Sequence, residues 1–357
     1  MSKTTVALIF GGKSVEHEIS VRSAKNIYQN LDKEKYRVEL IGIDKEGVWK
    51  KVESIGDGFE KGQSLSVTLG QHGVFETESG AKLPEFDVVF PIVHGTDGED
   101  GNIQGFFNLL DIPVVGSNVE GSVISMSKLT SKELLSASGI PVCKYKAFDL
   151  SEKEHIQYDE IVKILGLPFI LKPSNLGSSV GVYKIKTEED FNTYLDNAFE
   201  YDNQIIFEEF VEGYEMECAV KGNEIVKATV PGEVILKGDH EFYSYEAKYL
   251  DAKASETIIP ATISETHFDS IKDLCIRAFK ALKCADYGRV DLFLSKSGVI
   301  YINEINTLPG FTDISMFPKL WEYEGVKYSD LIDELIQLSL KRFERQKRLQ
   351  TNYKQAI

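Results

Sequence analysis

The residues best suited to chemistry sit near the C-terminal end of the chain. Residues 288–293 read GRVDLF and residues 302–310 read INEINTLPG. Both are strand-like runs, and the SKSG between them suits a hairpin loop. Setting Leu294 opposite Val299 places Asp291 opposite Ile302 and Arg289 opposite Glu304. Side chains alternate along a strand, so Arg289, Asp291, Glu304 and Asn306 share one face. A one-residue slip would separate the pairs. Two carboxylates and an amide oxygen form a hard-oxygen set that suits Mg²⁺ beside substrate phosphates. An Arg289–Glu304 cross-strand ion pair explains the same residues without metal. From the hairpin alone the two readings stand level.

A second stretch shifts the balance. Residues 172–181, KPSNLGSSVG, put a lysine at a strand end before a loop of small residues. Such a loop exposes backbone N–H groups and can cradle phosphate. It is not a Walker loop, whose glycine and lysine spacing is absent throughout the chain. Alone, it reads as a flexible hairpin tip. Lysine, loop and carboxylates together point to a nucleotide and its magnesium.

These residues need a scaffold. Apolar strands at 4–10, 38–43, 87–93 and 113–116 alternate with helices ending near Asn30 and 110, which implies a parallel sheet covered on both faces. Ligands of such sheets gather beyond the strand carboxyl ends, where GGKSVEHE and HGTDGEDG lie. One helix is expected around 122–139, then a strand, a helix, the strand LPFILKP, a helix capped by Thr187 and the strand NQIIFEEFV. Residues 215–260 read as mostly β. An amphipathic helix over 264–282 and a last helix after Ser329 complete the chain.

Bulk numbers narrow the function classes. A chain of 357 residues, 42% hydrophobic and 27% charged, suits two or three globular domains. Its net charge is −16, from 56 acidic and 40 basic residues, which argues against a nucleic-acid binder. Four cysteines without C-x-x-C spacing make neither a zinc site nor a disulfide framework. MSKTTVALIFGG reads as a first strand rather than a leader, and no run reaches the ~18 apolar residues of a membrane span. The expected location is cytoplasmic, with no membrane partner.

Seven segments in order carry a family resemblance: GGKSVEHEIS, HGTDGEDGNIQG, SKLTSK, LKPSNLGSSVG, SYEAKY, GRVDLF and NEINTLPGFT. The sequence resembles the ATP-grasp enzymes, and within them the D-alanine–D-alanine ligase family. The resemblance implies an α/β fold, α+β in its C-terminal parts, with three domains: a Rossmann-like 1–121, a central 122–213 and a C-terminal 214–357. It implies ATP and two Mg²⁺ or Mn²⁺ ions as cofactors, two D-alanine molecules as substrates and a homodimer. The activity implied is ligation for peptidoglycan precursor synthesis.

The same resemblance assigns roles. Lys128, Lys172 and Ser179 would bind ATP phosphates, and Lys248 the γ-phosphate. Glu208, Glu209 and Val211 would border adenine, and Glu215 the ribose. Family members often carry lysine where this chain has Glu209, which is harmless if only its backbone is used. Asp291, Glu304 and Asn306 would hold metal. Glu16 would meet the first ammonium, His94 the first carboxylate, and Ser315 with the Met316 N–H the second carboxylate. Ser178 and Tyr249 would join Glu16 under a lid at 243–253. Arg289 and the Gly310 N–H would face an oxyanion. Tyr249 favours a dipeptide over a D-alanine–D-lactate ester. Rival readings are an ATP-grasp ligase with another acceptor and a nucleotide-binding regulator.

Overall fold

The computed structural model of the protein describes residues 3–56, 59, 61–70, 72–237 and 255–350. Three sheets organise them. The first combines β1 (Thr4–Gly11), β2 (Tyr36–Ile43), β3 (Trp49–Lys51), β4 (Gln63–Thr68), β5 (Val74–Thr77) and β6 (Val88–Pro91), in the order β5-β4-β3-β2-β1-β6. β1 pairs in parallel with β2 and β6, but β3, β4 and β5 add on antiparallel. The expected all-parallel sheet is therefore mixed. Its buried centre reads as continuous apolar runs, whereas the added ribbon is short and half-polar, which hid it in the sequence. PVVG makes a single parallel bridge, Val114 to Val89, rather than a strand. α1 (His17–Asn30) and α2 (Asn102–Leu109) pack beside this sheet.

A connector follows. The single helix expected near 122–139 is two, α3 (Val119–Met126) and α4 (Lys128–Ala137). Ser127 divides them: it leaves helical geometry, and its side chain accepts from the Thr130 N–H as the cap of α4. The second sheet has the order β7-β10-β8-β9, from β7 (Tyr145–Asp149), β8 (Phe169–Pro173), β9 (Tyr183–Ile185) and β10 (Gln204–Glu209). α5 (Tyr158–Leu165) and α6 (Glu188–Tyr201) cover it. Thr187 caps α6 as expected, in a reciprocal capping box with Asp190.

The third sheet runs β14-β13-β11-β15-β16, with β12 against β11. Its strands are β11 (Gly213–Lys221), β12 (Lys227–Ala228), β13 (Gly232–Leu236), β14 (Ser255–Ile258), β15 (Tyr287–Ser295) and β16 (Ile300–Asn306). α7 (Glu265–Ala281) buries Ile271, Leu274, Cys275, Ala278 and Phe279, the stripe its periodicity predicts. α8 (Met316–Tyr323), which the sequence reading did not anticipate, and α9 (Tyr328–Lys347) close the chain.

Cores reveal what is joined to what. Val6, Leu8 and Phe90 of the first sheet share one apolar cluster with Tyr287, Phe311, Phe317 and the buried face of α9. The Phe90 and Phe311 rings meet edge to face at 6.1 Å. Arg342 reinforces the seam, donating to the carbonyls of Val114 and Gly116 and pairing with buried Asp286 at 2.8 Å. The second sheet keeps its own core, centred on Phe169, Phe191 and Phe207.

Candidate active site

The hairpin that raised the question forms, with a different register. Asp291 faces Glu304 and Arg289 faces Asn306, whereas Leu292 faces Ile302 and Leu294 faces Ile300. The expected pairings, Asp291 with Ile302 and Arg289 with Glu304, are both wrong. The loop end is slipped by one residue from expectation, and a bulge between Asp291 and Leu292 adds a second. Two slips restore the original parity, so Arg289, Asp291, Glu304 and Asn306 share one face after all. Packing decides this. Ile302, fully buried, joins Val290 and Leu292 in the core beneath.

Two cavities meet at this face. A smaller one, about 170 Å³, is lined by Glu16, His94, Ser178, Arg289, Asn306, Gly310, Ser315 and Met316, among others. A larger one, about 400 Å³, is lined by Lys172, Ser179, Glu208, Glu209, Val211, Glu215 and Asp291. Lys128, Gly177 and Glu304 border both. The expected amino-acid residues thus gather in one cavity and the expected nucleotide residues in the other. Lys248, Tyr249 and the 243–253 lid lie outside the described residues.

Two lysines, Lys128 and Lys172, line the larger cleft. Lys128, at the first position of α4, is buried and 3.4 Å from Glu304, and its ammonium also donates to the Leu176 carbonyl. Burial pushes its pKa down. Lys172 is the penultimate residue of β8, 3.0 Å from Glu208 and 3.4 Å from the Asn303 side-chain oxygen. The bulge thus presents Asn303 to a lysine of the second sheet. Ser178 and Ser179 both have left-handed backbones, with φ of 55° and 56°. Neighbouring non-glycine residues in that region mark strain of the kind kept at binding sites. Glu209 turns its carboxylate to the Lys144 N–H at 2.8 Å and donates its own N–H to the Lys144 carbonyl at 2.9 Å.

The smaller cavity is walled by two sheets. Glu16 occupies the N-cap position of α1 without a side-chain capping bond. His94 is buried; its Nδ1 donates to the Leu308 carbonyl at 2.9 Å, and Nε2 lies 3.3 Å from the Ser23 hydroxyl. Burial pushes its pKa down, favouring the neutral ring. With both nitrogens engaged, His94 orients the wall; to reach a substrate carboxylate it would have to release Ser23. Arg289 grips Asp291 with two bonds of 2.6 and 2.7 Å and lies 3.2 Å from Glu217. A side chain at position 310 would place its Cβ 2.8 Å from the Ser315 hydroxyl, which would have to turn away to admit it.

Three residues escaped the sequence reading. Glu217 faces Asp291 across β11 and β15, two positions from Glu215, so strand alternation was the available signal. Glu99 is buried in the cavity wall, and burial raises its pKa well above the ordinary carboxyl value. Lys132 is fully buried one helical turn beyond Lys128. For the last two, no local signal marks a charged side chain as buried.

The donor set fits a hard cation. Asp291 and Glu304 stand opposite each other, with Asn306 two residues on, and Arg289 and Lys128 here supply positive charge to the two carboxylates. Among the described residues no group of three or more His, Cys, Asp or Glu is arranged to hold a metal ion by itself.

A cavity for small polar ligands opening into a nucleotide-sized cleft between two β-sheets is the architecture of an ATP-grasp ligase. The comparisons narrow the class. The D-Ala-D-Ala ligase N-terminus family model matches residues 5–117 and the C-terminus model residues 134–337. The chain therefore belongs to the D-alanine–D-alanine ligase family. It is 46% identical to a D-alanine–D-alanine ligase of Oceanobacillus iheyensis, over 98% of this chain and 99% of that one. Among solved structures it resembles the D-alanine–D-alanine ligase of Coxiella burnetii, with TM-score 0.84 and 35% identity over 97% and 98% of the chains. It also resembles the VanG D-Ala:D-Ser ligase of Enterococcus faecalis, with TM-score 0.85 and 32% identity over 95% and 100%.

Proposed function

We infer that this protein joins two D-alanine molecules into D-alanyl-D-alanine, converting ATP to ADP and phosphate, for peptidoglycan precursor synthesis. The observation that carries the reading is the meeting of the two cavities at Lys128, Gly177 and Glu304. There a γ-phosphate and an amino-acid carboxylate can be brought together.

The chemistry accounts for the residue types. A carboxylate resists nucleophiles because it is already an anion. A carboxylate oxygen of the first D-alanine attacks the γ-phosphorus, ADP leaves, and an acyl phosphate results. The amine of the second D-alanine, having lost a proton, attacks the acyl carbon. A tetrahedral oxyanion forms, and phosphate departs with its bridging oxygen. Lys128 and Lys172 orient the phosphates, since positioning dominates phosphoryl transfer. Asp291, Glu304 and Asn306 would hold two Mg²⁺ or Mn²⁺ ions, which when bound would neutralise charge on the transferring group. Glu16 holds the first ammonium, and Ser315 with the Met316 N–H holds the second carboxylate. Arg289 and the Gly310 N–H face the oxyanion, where one preorganised donor is worth about 3 kcal/mol. Ser178 and Tyr249 join Glu16 in closing the site, since an acyl phosphate must be shielded from water.

On this reading the first sheet belongs to domain 1–121, the second to 122–213 and the third to 214–357. The protein works in the cytoplasm as a homodimer. Among the described residues no helix is long and apolar enough to cross a membrane.

Phosphate release tests the function directly. D-Alanine as the only amino acid should support release from ATP, with D-alanyl-D-alanine identified by mass. Absence of D-alanine-dependent release would refute the reading. D-Lactate and D-serine offered in competition should yield minor products, and a dominant ester would reassign the acceptor.

A further inference from the structure

Lys132 has no part in the chemistry above, yet α4 buries it completely. A lysine is seldom buried unless paired. Its ammonium lies 3.1 Å from Glu208, an ion pair rather than a well-aligned hydrogen bond. The other Glu208 oxygen lies 3.0 Å from Lys172. The Cys143 sulfur completes the cluster, 3.3 Å from Lys132 and 3.6 Å from Glu208. Burial, followed by the Glu208 charge, pushes the Cys143 thiol up to about 11, so it stays neutral. Burial alone would favour a discharged Lys132, but the Glu208 charge holds its pKa above the ordinary value. Burial would also raise the Glu208 pKa, yet Lys132 and Lys172 bring it down to about 2. The cluster therefore carries two cations and one anion.

That count has a consequence for the cleft floor. Were Lys172 and Glu208 alone, they would cancel, and the lysine near the end of β8 would offer phosphate little net charge. Lys132, on the far side of Glu208, cancels the carboxylate instead. We propose that Lys132 is a positioning residue for nucleotide binding, which neutralises Glu208 so that Lys172 keeps its positive charge for the phosphates. Lys132 acts through Glu208 and does not touch the nucleotide. The inference rests on the larger cleft being the ATP site.

Because the effect is electrostatic and aimed at phosphate, it separates ligands that share a base. ADP and adenosine binding to the full-length protein, measured by calorimetry at one ionic strength, provide the test. Lys132→Met should weaken ADP by about tenfold while leaving adenosine within about twofold of wild type. Adding Glu208→Gln should restore the ADP-to-adenosine ratio, because the floor regains its single net positive charge. Equal losses for both ligands would show a merely structural role and overturn the proposal, as would an unchanged ADP affinity. If Lys132→Met does not fold, the double variant still decides, since it removes the Lys132–Glu208 pair together and leaves no buried carboxylate short of a partner: a retained ratio supports the proposal and a collapsed one sinks it. A wild-type protein that binds neither ligand would instead refute the nucleotide reading, and this inference with it.

Discussion

The walls of the two cavities are fastened differently. The amino-acid cavity takes Glu16 and His94 from the first sheet and its loops, and Arg289, Gly310 and Ser315 from the third body. Those two bodies share a single apolar core through Phe90, Tyr287, Phe311 and α9. Repositioning one wall against the other would break packed aromatic contacts, and close-packed interiors resist that. The nucleotide cleft takes its roof from the second sheet, whose core around Phe207 is separate. What spans this cleft is polar: Lys128 to Leu176 and Glu304, and Lys172 to Asn303. Polar contacts exchange with water and with ligand at small net cost. The wall that the first and third sheets share is thus the preorganised half, whereas the side that the second sheet contributes is adjustable.

Core truncations should break this contrast with the largest effects. Phe207→Ala and Phe311→Ala each remove a fully buried ring, at a cost of about 3–5 kcal/mol. For Phe207→Ala, hydrogen exchange should quicken in β7 to β10 while β1, β2 and β6 keep their protection. For Phe311→Ala, the first and third sheets should lose protection together. Uniform loss of protection in both variants would mean the cores are not separate.

Next comes Arg289→Met. Its target lies in the preorganised half, so kcat should fall by about 10²- to 10³-fold while ADP affinity stays near wild type. A loss of ADP affinity of the same size would place Arg289 in the adjustable half instead.

A smaller effect is expected from acid. An unfolded glutamate takes up its proton near 4.5, whereas folded Glu208 resists until about 2. Between these values the unfolded chain binds more protons, so stability falls as pH drops through that window. Urea midpoints recorded from pH 6 to pH 2 should fall less steeply for Glu208→Gln than for wild type. Parallel curves would deny Glu208 this role.

The smallest is Thr187→Ala. It removes one half of the α6 capping box and should cost about 1 kcal/mol. The loss should appear in exchange within the second sheet and leave D-alanine affinity alone.

Local patterns carried much of this protein. Capping at Thr187, the stripe of α7 and the apolar strands of the first sheet follow from rules that act within a few residues. The short β3–β5 ribbon and α8 did not show, because brief half-buried elements depend on neighbours distant in the chain. Glu217 could have been read from alternation. Lys132 could not, because a lysine on a helix looks the same whether solvent or Glu208 awaits it.

The hairpin draws the boundary most sharply. Alternation along a strand is a property of the backbone alone, so sequence determined that Asp291 goes with Arg289 and Glu304 with Asn306. Which carboxylate faces which was decided only in three dimensions. Ile302 had to enter the core beside Leu292, and a bulge at Asn303 absorbed the mismatch. Burying an apolar side chain outweighs one interrupted step of the ladder. That exchange brought two carboxylates face to face and turned Asn303 toward Lys172.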